Sequence, residues 1–494
     1  MNNFFKALAL ILSVLAVFSL TACNDSYQDA IIYFEIPEKP YTLDPQTASS
    51  DSELVIVNNI FEGLLRKNAS GAIVCGACES FKLDNLTYTY KLRKDIVWSN
   101  GEPLTADDFI FAFRRAVSPN TGAPFASRLF CIKNAKDISE GKKSPDTLGI
   151  SAPDSYTLVI NLAYRDDDFE EALTTSVAMP CNEDFFNESA GRYGLSSDSI
   201  ISCGSYKITK WNKETFGIRL YSNNLYTGTF AAKNSAIYIT KDEDETAIER
   251  LIGNNVDIAF IDSSLSDTAH ENGLKTIDYQ NICWFLTIGS KFSKDMRKSL
   301  AMLVGSEVYG NDLKTGYSPA NSIFPAAVSK DADSTALTSY NADAAKTLFA
   351  KETAKLAEKK FPSGTKLYYY DNGVIKPVVT DIVGHWQNRL GAFVNIEAAY
   401  SSEKLLSQLK NQDLDMAVFP IRANSANIKE YISNFGIDAE SKSVSELQRA
   451  VLKSNSIFPI AFQNTTIAYS VSLNDVFTSF GNGYIDFSFI VKTE

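Results

Sequence analysis

TYTYKLRKDIVWSNGEPLTADDFIFAFRRAVSPNTGAPFAS, residues 87–127, is the stretch whose reading decides the fold. Thr87-Tyr88-Thr89-Tyr90-Lys91-Leu92 alternates in the period of two that predicts a half-buried strand. Trp98-Ser99-Asn100-Gly101 reads as a turn, because Asn-Gly tolerates the positive φ of a tight reversal. Thr105 with Asp108 three residues on forms a capping-box-like helix start, and Phe109, Ala112, Phe113 and Ala116 give the following helix one apolar face. No catalytic spacing occurs within the stretch.

Outward from it, strand-like and helix-like runs alternate, which predicts α/β lobes. Val256-Asp257-Ile258-Ala259-Phe260 and Leu414-Asp415-Met416-Ala417-Val418 echo each other. Each follows an amphipathic helix candidate, 246–252 and 402–409, so they read as equivalent helix-to-strand crossings in two lobes. The acidic runs 166–168 and 242–245 sit where helices begin. Carboxylates there favour the helix macrodipole, a simpler role than metal ligation.

At the N-terminus, Lys6 supplies a minimal positive region and residues 7–20 an apolar core too short to span a bilayer comfortably. Leu20-Thr21-Ala22-Cys23 matches the bacterial lipobox, in which cleavage precedes a cysteine that becomes diacylated. The expectation is a signal peptide over 1–22, lipidation at Cys23 and a polar tether over 23–28. Two acyl chains would hold the protein on the extracytoplasmic face of a bacterial cell membrane. A plain secretory signal beside an unmodified cysteine is the other reading.

At 494 residues the chain exceeds one ordinary core, so two or three domains are expected. A net charge of −12 argues against nucleic acid as a partner. The 23 Tyr and 31 Phe suit large cores and aromatic solute clefts. Apart from Cys23 there are Cys75, Cys78, Cys131, Cys181, Cys203 and Cys283, an even number that permits disulfides in an exported protein. Cys75-Gly76-Ala77-Cys78 has redox or metal spacing. There is no second such pair, and His270 and His385 are the only histidines, so a zinc site is short of ligands. The sequence holds no metalloprotease, nucleophile-elbow or phosphate-loop motif. It is therefore read as a non-enzyme with no metal and no cofactor, and both histidines as structural or surface residues.

The 87–127 stretch closely resembles the signature of extracytoplasmic solute-binding proteins of peptide-type ABC importers, the oligopeptide-binding-protein family (solute-binding protein family 5). Tyr41-Thr42-Leu43-Asp44-Pro45 resembles that family's early strand end, Ile60-Phe61-Glu62-Gly63-Leu64 its first helix, and Cys203-Gly204-Ser205-Tyr206-Lys207-Ile208 its Asn-Gly-Pro-Tyr segment. Met296-Arg297-Lys298-Ser299-Leu300 resembles the second-lobe helix, and Ile485-Asp486-Phe487-Ser488-Phe489 the closing strand. The resemblance implies a two-lobed, periplasmic-binding-protein-like α/β fold (class II, cluster C) with a small inserted domain and a hinge between the lobes. Lobe I would comprise 29–61, 184–283 and 465–494, the inserted domain 62–183 and lobe II 284–464. Implied partners are a peptide or other small solute and an ABC permease, and the protein is expected to be a monomer. In this alignment Cys75 and Cys78 take positions usually held by Pro and Ala, so small-residue replacement and a disulfide or redox role both stay open.

In the family an extended peptide adds to strands in the cleft, its main chain supplies most hydrogen bonds, and an aspartate meets its amino terminus. Anchored on Asp415 and Tyr431, the register puts Asn424 at that aspartate, Ile421 at a tryptophan, and Pro420 where the strand should offer an N–H. Asn424 brings no negative charge, and Arg422 adds a cation that repels an ammonium. Ser49 to Asp51 resemble the first-lobe strand that pairs with peptide, with Asp51 placed to replace the lost carboxylate. Phe125 resembles an aromatic beside the bound chain, and Gln463 a late cleft position. The ligand-binding candidates are thus Ser49, Asp51, Phe125, Arg422, Asn424 and Gln463. The altered 420–427 segment favours a non-peptide or specialised ligand over a generic peptide. A surface receptor or structural lipoprotein that has lost transport is the remaining alternative.

Overall fold

A computed structural model describes residues 30–493, apart from 215, 330–336, 400, 402–404, 406, 407, 409–413, 438–441, 454 and 480–483. The signal peptide, Cys23, the tether and most of the helix candidate at 402–409 lie outside the described residues.

The signature stretch folds as its pattern predicts. Strand Thr87–Leu92 buries Tyr88, Tyr90 and Leu92 and joins a four-stranded antiparallel sheet with Cys78–Asp84, Thr157–Asn161 and Ile150–Asp154. Gly101 takes φ +92° in the turn, and its amide donates to Trp98 O. Helix Ala106–Val117 starts on a Thr105–Asp108 capping box and buries Phe109, Ala112, Phe113 and Ala116. From its last turn, Arg115 grips Asp44 with a 2.6 Å Nη2–Oδ2 bond and lies 4.1 Å from the Phe186 ring centroid. That pair ties the small sheet to the segment after the first strand.

Among the described residues the main sheet has eleven strands. Two long antiparallel strands, Lys275–Ile288 and Ile457–Tyr469, run through both of its halves. Toward one end Ile457–Tyr469 pairs with Ile258–Ile261, which leads on to Ile31–Glu35 and Ala236–Thr240. Toward the other end Lys275–Ile288 pairs with Met416–Arg422, then Lys366–Tyr370 and Asn395–Ala399. The register slips between Gln280 and Ile282. There one apolar core, which includes Ile258 and Ile467, gives way to two others that begin at Ile282 and Cys283. Buried Asn281 holds the crossing: its side chain donates to Ala423 O and accepts from Thr465 Oγ1, while its main-chain carbonyl accepts from the Ala423 amide. The architecture is the expected two-lobed α/β fold.

Four expectations are corrected. Ser49 to Asp51 are not a strand: Ser50 caps helix Asp51–Ile60, and the amides of Ser49 and Ser50 both donate to Glu53 Oε2. Residues 60–64 lie at the end of that helix, because Phe61 is extended at φ −117° and stops it. Asp44 sits in a turn well after strand Ile31–Glu35. Within 485–489 only Ile485 is in a strand, since Tyr484–Ile485 pairs with Thr478–Ser479 and residues 487–489 then turn. Cys75 and Cys78 form a disulfide, which answers the open choice against simple small-residue replacement. Cys131, Cys181, Cys203 and Cys283 are free and buried. No described helix is long and apolar enough to cross a membrane.

Burial pushes the Asp108 carboxyl up to about 6 from an ordinary 3.8. Between those values the folded state keeps a proton that the unfolded chain has released, so stability falls as pH rises through the window, by roughly 2–3 kcal/mol. Asp108→Asn should cancel that slope. Urea unfolding from pH 4 to 7 should show the variant gaining on wild type by about that amount; a constant difference across the range would contradict it.

Candidate functional site

Met416–Arg422 presents the edge on which the candidate site is built. The Gly289 amide donates to Asp415 O, and the Ala423 amide to Asn281 O. Amides alternate sides along an antiparallel ladder, so those of 417, 419 and 421 face Lys275–Ile288 and those of 418, 420 and 422 face away. Strand Lys366–Tyr370 covers that outer edge only as far as Val418. Past Val418 the strand carries Pro420, which has no N–H to offer.

Beyond this edge, Ser49, Phe125, Arg422 and Asn424 line one cavity of about 210 Å³ together with Ser127, Ser425 and Glu430. Four candidates from three distant parts of the chain thus converge. Asp51 reaches the site through an ion pair with Arg422. That is a correction: its carboxylate is engaged by the opposite wall and does not stand open for a ligand ammonium. Gln463 does not line this cavity; its Oε1 accepts from Trp284 Nε1 at 2.8 Å, within the lobe II sheet.

The lobe II segment that follows is fastened to the inserted domain by contacts between distant residues, of which Arg128 and Glu430 carry no signal in the sequence. Arg128, about 5% exposed, donates to Glu430 from Nε at 2.8 Å and from Nη2 at 3.1 Å, and lies 4.5 Å from the Phe125 ring centroid. Ser425 Oγ adds a 2.8 Å bond to Glu430 Oε2. Asn427 caps helix Ile428–Ser433 with its oxygen and donates its amide to Asp168 Oδ2 at 3.2 Å, while Lys429 pairs with Asp166. Burial beside Asp166 holds the Asp168 carboxyl above its usual range. Glu430 also borders a second, larger cavity of about 780 Å³ that includes Arg128, Asp166, Asp168 and Lys429.

The electrostatic outcome is a balanced site. Arg128 and Arg422 face Glu430 and Asp51, and each carboxylate already has a guanidinium partner. The Ser425, Ser433 and Tyr431 hydroxyls are bonded within the protein, and Ser49, Ser127 and the Asn424 amide add neutral polar groups to the lining. Such a site hydrogen-bonds a neutral polar solute readily. An ammonium would have to displace one of the pairs, because desolvating it without a partner costs several kcal/mol. Among the described residues no group of three or more His, Cys, Asp or Glu is placed to hold a metal. His270 is exposed and bonded to Thr276 Oγ1, and His385 lies within helix Lys376–Leu390.

Residues 74–443 match the model of the bacterial extracellular solute-binding proteins, family 5 Middle. A periplasmic oligopeptide-binding protein of Haemophilus influenzae is 32% identical over 227 residues, which are 44% of this chain and 41% of the relative. A probable deoxycholate-binding periplasmic protein of Escherichia coli is 29% identical over 232 residues, 45% of this chain and 42% of the relative. The aligned parts thus span about four tenths of these curated relatives. The substrate-binding domain of an oligopeptide ABC transporter from Bacillus anthracis superposes with a TM-score of 0.77 at 23% identity, covering 95% of this chain and all of that one.

Arg128→Ala should strand Glu430 and loosen the lobe contact by about 2–4 kcal/mol. Small-angle X-ray scattering of ligand-free protein should then give a larger radius of gyration than wild type. An unchanged radius would show that this pair does not hold the lobes together.

Proposed function

The chain belongs to the bacterial extracellular solute-binding proteins of family 5, and on that premise we propose that it captures a short peptide or related polar solute between its lobes and delivers it to an ABC importer. Peptide names recur among its relatives, and an extended main chain would be held in a cleft by hydrogen bonds to strand backbone. The lobes, with bounds near 283/284 and 464/465, close about a hinge in the two long strands. A lipid anchor at Cys23 would keep the protein beside its permease on the extracytoplasmic face of the cell membrane, as a monomer. The reading has no catalytic step.

The observation that carries a specialised form of this function is the pairing of Asp51 with Arg422. Together with Asn424 and Pro420 it leaves the cavity without a free carboxylate for a peptide ammonium and the edge without one N–H. The volume of about 210 Å³ falls below the roughly 300–1,000 Å³ of sites for drug-sized ligands. The ligand is therefore small, and its recognised end is neutral or anionic: a blocked or modified short peptide, or a non-peptide solute. Retention of the fold as a surface receptor without transport is the remaining reading.

Native purification of the soluble chain lacking the lipid anchor, followed by denaturation and mass spectrometry of what is released, tests this. A narrow set of small or amino-blocked solutes is expected; a mixture of free-amine peptides would contradict the specialised reading. Asn424→Asp restores a negative charge and should strengthen binding of a free-amine tripeptide by about tenfold. An unchanged affinity would place Asn424 outside the ligand's reach.

A further inference from the structure

The solute-binding reading leaves the Cys75–Cys78 bridge without a role. The bridge encloses only Gly76 and Ala77, and cross-links that close short loops restrict the unfolded chain least. Stabilisation alone is a weak reason for it.

The loop is built against a carboxyl group. Gly76 N donates to Leu64 O at 3.0 Å and Ala77 N to Gly63 O at 2.8 Å, which draws the loop onto residues 62–64. A Cβ at Gly76 would overlap Glu62 Oε1 and come within 2.7 Å of Gly63 O, so only glycine permits this approach. Glu62 Oε2 accepts from Arg66 Nη1 at 2.9 Å and from Tyr226 Oη at 2.8 Å, whereas Oε1 is buried with no hydrogen-bond partner. Burial holds the carboxyl above its usual range, against the pull of Arg66 and Tyr226 and with a push from Asp486, and the buried Cys203 thiol also faces residue 62, accepting from the Glu62 amide at 3.3 Å. Cys78 is fully buried and Cys75 is partly exposed, so an incoming thiolate meets Cys75 first.

We propose that Cys75–Cys78 is a redox-active disulfide, reduced by a dithiol outside the cytoplasm, with Glu62 donating the proton to the buried Cys78 sulfur. The donor's thiolate attacks Cys75 Sγ; a donor–Cys75 bond forms, the Cys75–Cys78 bond breaks, and Cys78 leaves as thiolate and takes the Glu62 proton. The donor's second thiol returns a proton to Glu62 and attacks its own sulfur in the mixed disulfide. Cys75 is released as thiolate and takes from solvent the proton the donor first gave up. Two electrons and two protons pass to the protein, and the donor ends as a disulfide. The free Cys131, Cys181, Cys203 and Cys283 do not compete, since burial pushes all four thiols up, the first two to about 12.

The test exposes the full mature chain to dithiothreitol without denaturant, quenches with acid and blocks new thiols with maleimide. Intact mass and peptide mapping then count and place the labels. Two labels, on Cys75 and Cys78, are expected in folded protein, at a rate at least tenfold lower in Glu62→Gln. The wild-type pH–rate profile should carry an ionisation besides that of dithiothreitol, absent in the variant. If Glu62→Gln does not fold, Tyr226→Phe removes one donor to Oε2 and should move that ionisation to higher pH. A bridge that resists dithiothreitol until urea unfolds the chain overturns the proposal. So does a Glu62→Gln rate equal to wild type, or an unmoved profile in Tyr226→Phe.

Discussion

The grip of Arg128 on Glu430 is the contact on which the cleft depends. It joins an inserted-domain turn to a lobe II helix with two parallel hydrogen bonds, one guanidinium face against Phe125 and a third bond to the carboxylate from Ser425. A paired charge this deeply placed is held by geometry, since either partner left alone would be an uncompensated buried ion. With Asn427 on Asp168 and Lys429 on Asp166, it lays the lobe II helix start against the inserted domain. The walls of the smaller cavity follow from that docking.

Closing the lobes this way consumes charge. Glu430 is committed to Arg128 and Ser425, and Asp51 to Arg422, so the carboxylates best placed to meet a cationic ligand end serve the protein's own cations. Under the proposed function, recognition would then rest on shape, aromatic contact and neutral hydrogen bonds, with selectivity set by what the site refuses. Arg422, Ser425 and Asn427, all within 420–427, make three of these contacts.

What the sequence made legible was local. The Tyr88, Tyr90 and Leu92 alternation, the Asn-Gly turn and the Thr105–Asp108 box each act within a few residues, and each folds as read. The Ser50–Glu53 box has the same character and marks a helix cap where the family resemblance implies a peptide-pairing strand. The Arg128–Glu430 pair joins residues 302 apart, a separation at which periodicity and spacing carry no signal. Asp51 and Arg422 each read in the sequence as charged cleft candidates, but only the fold reveals that they meet. The cysteine spacing admits either small-residue replacement or a disulfide or redox role, and the bonded sulfurs of Cys75 and Cys78 decide for the bridge.

The central claim is that Arg422 occupies, from within the protein, the charge partner a peptide ammonium would need. Titration calorimetry with one tripeptide in free-amine and N-acetylated forms measures this directly. The account predicts that acetylation leaves the affinity equal or improves it. A preference of a hundredfold or more for the free amine, about 2.7 kcal/mol, would contradict it.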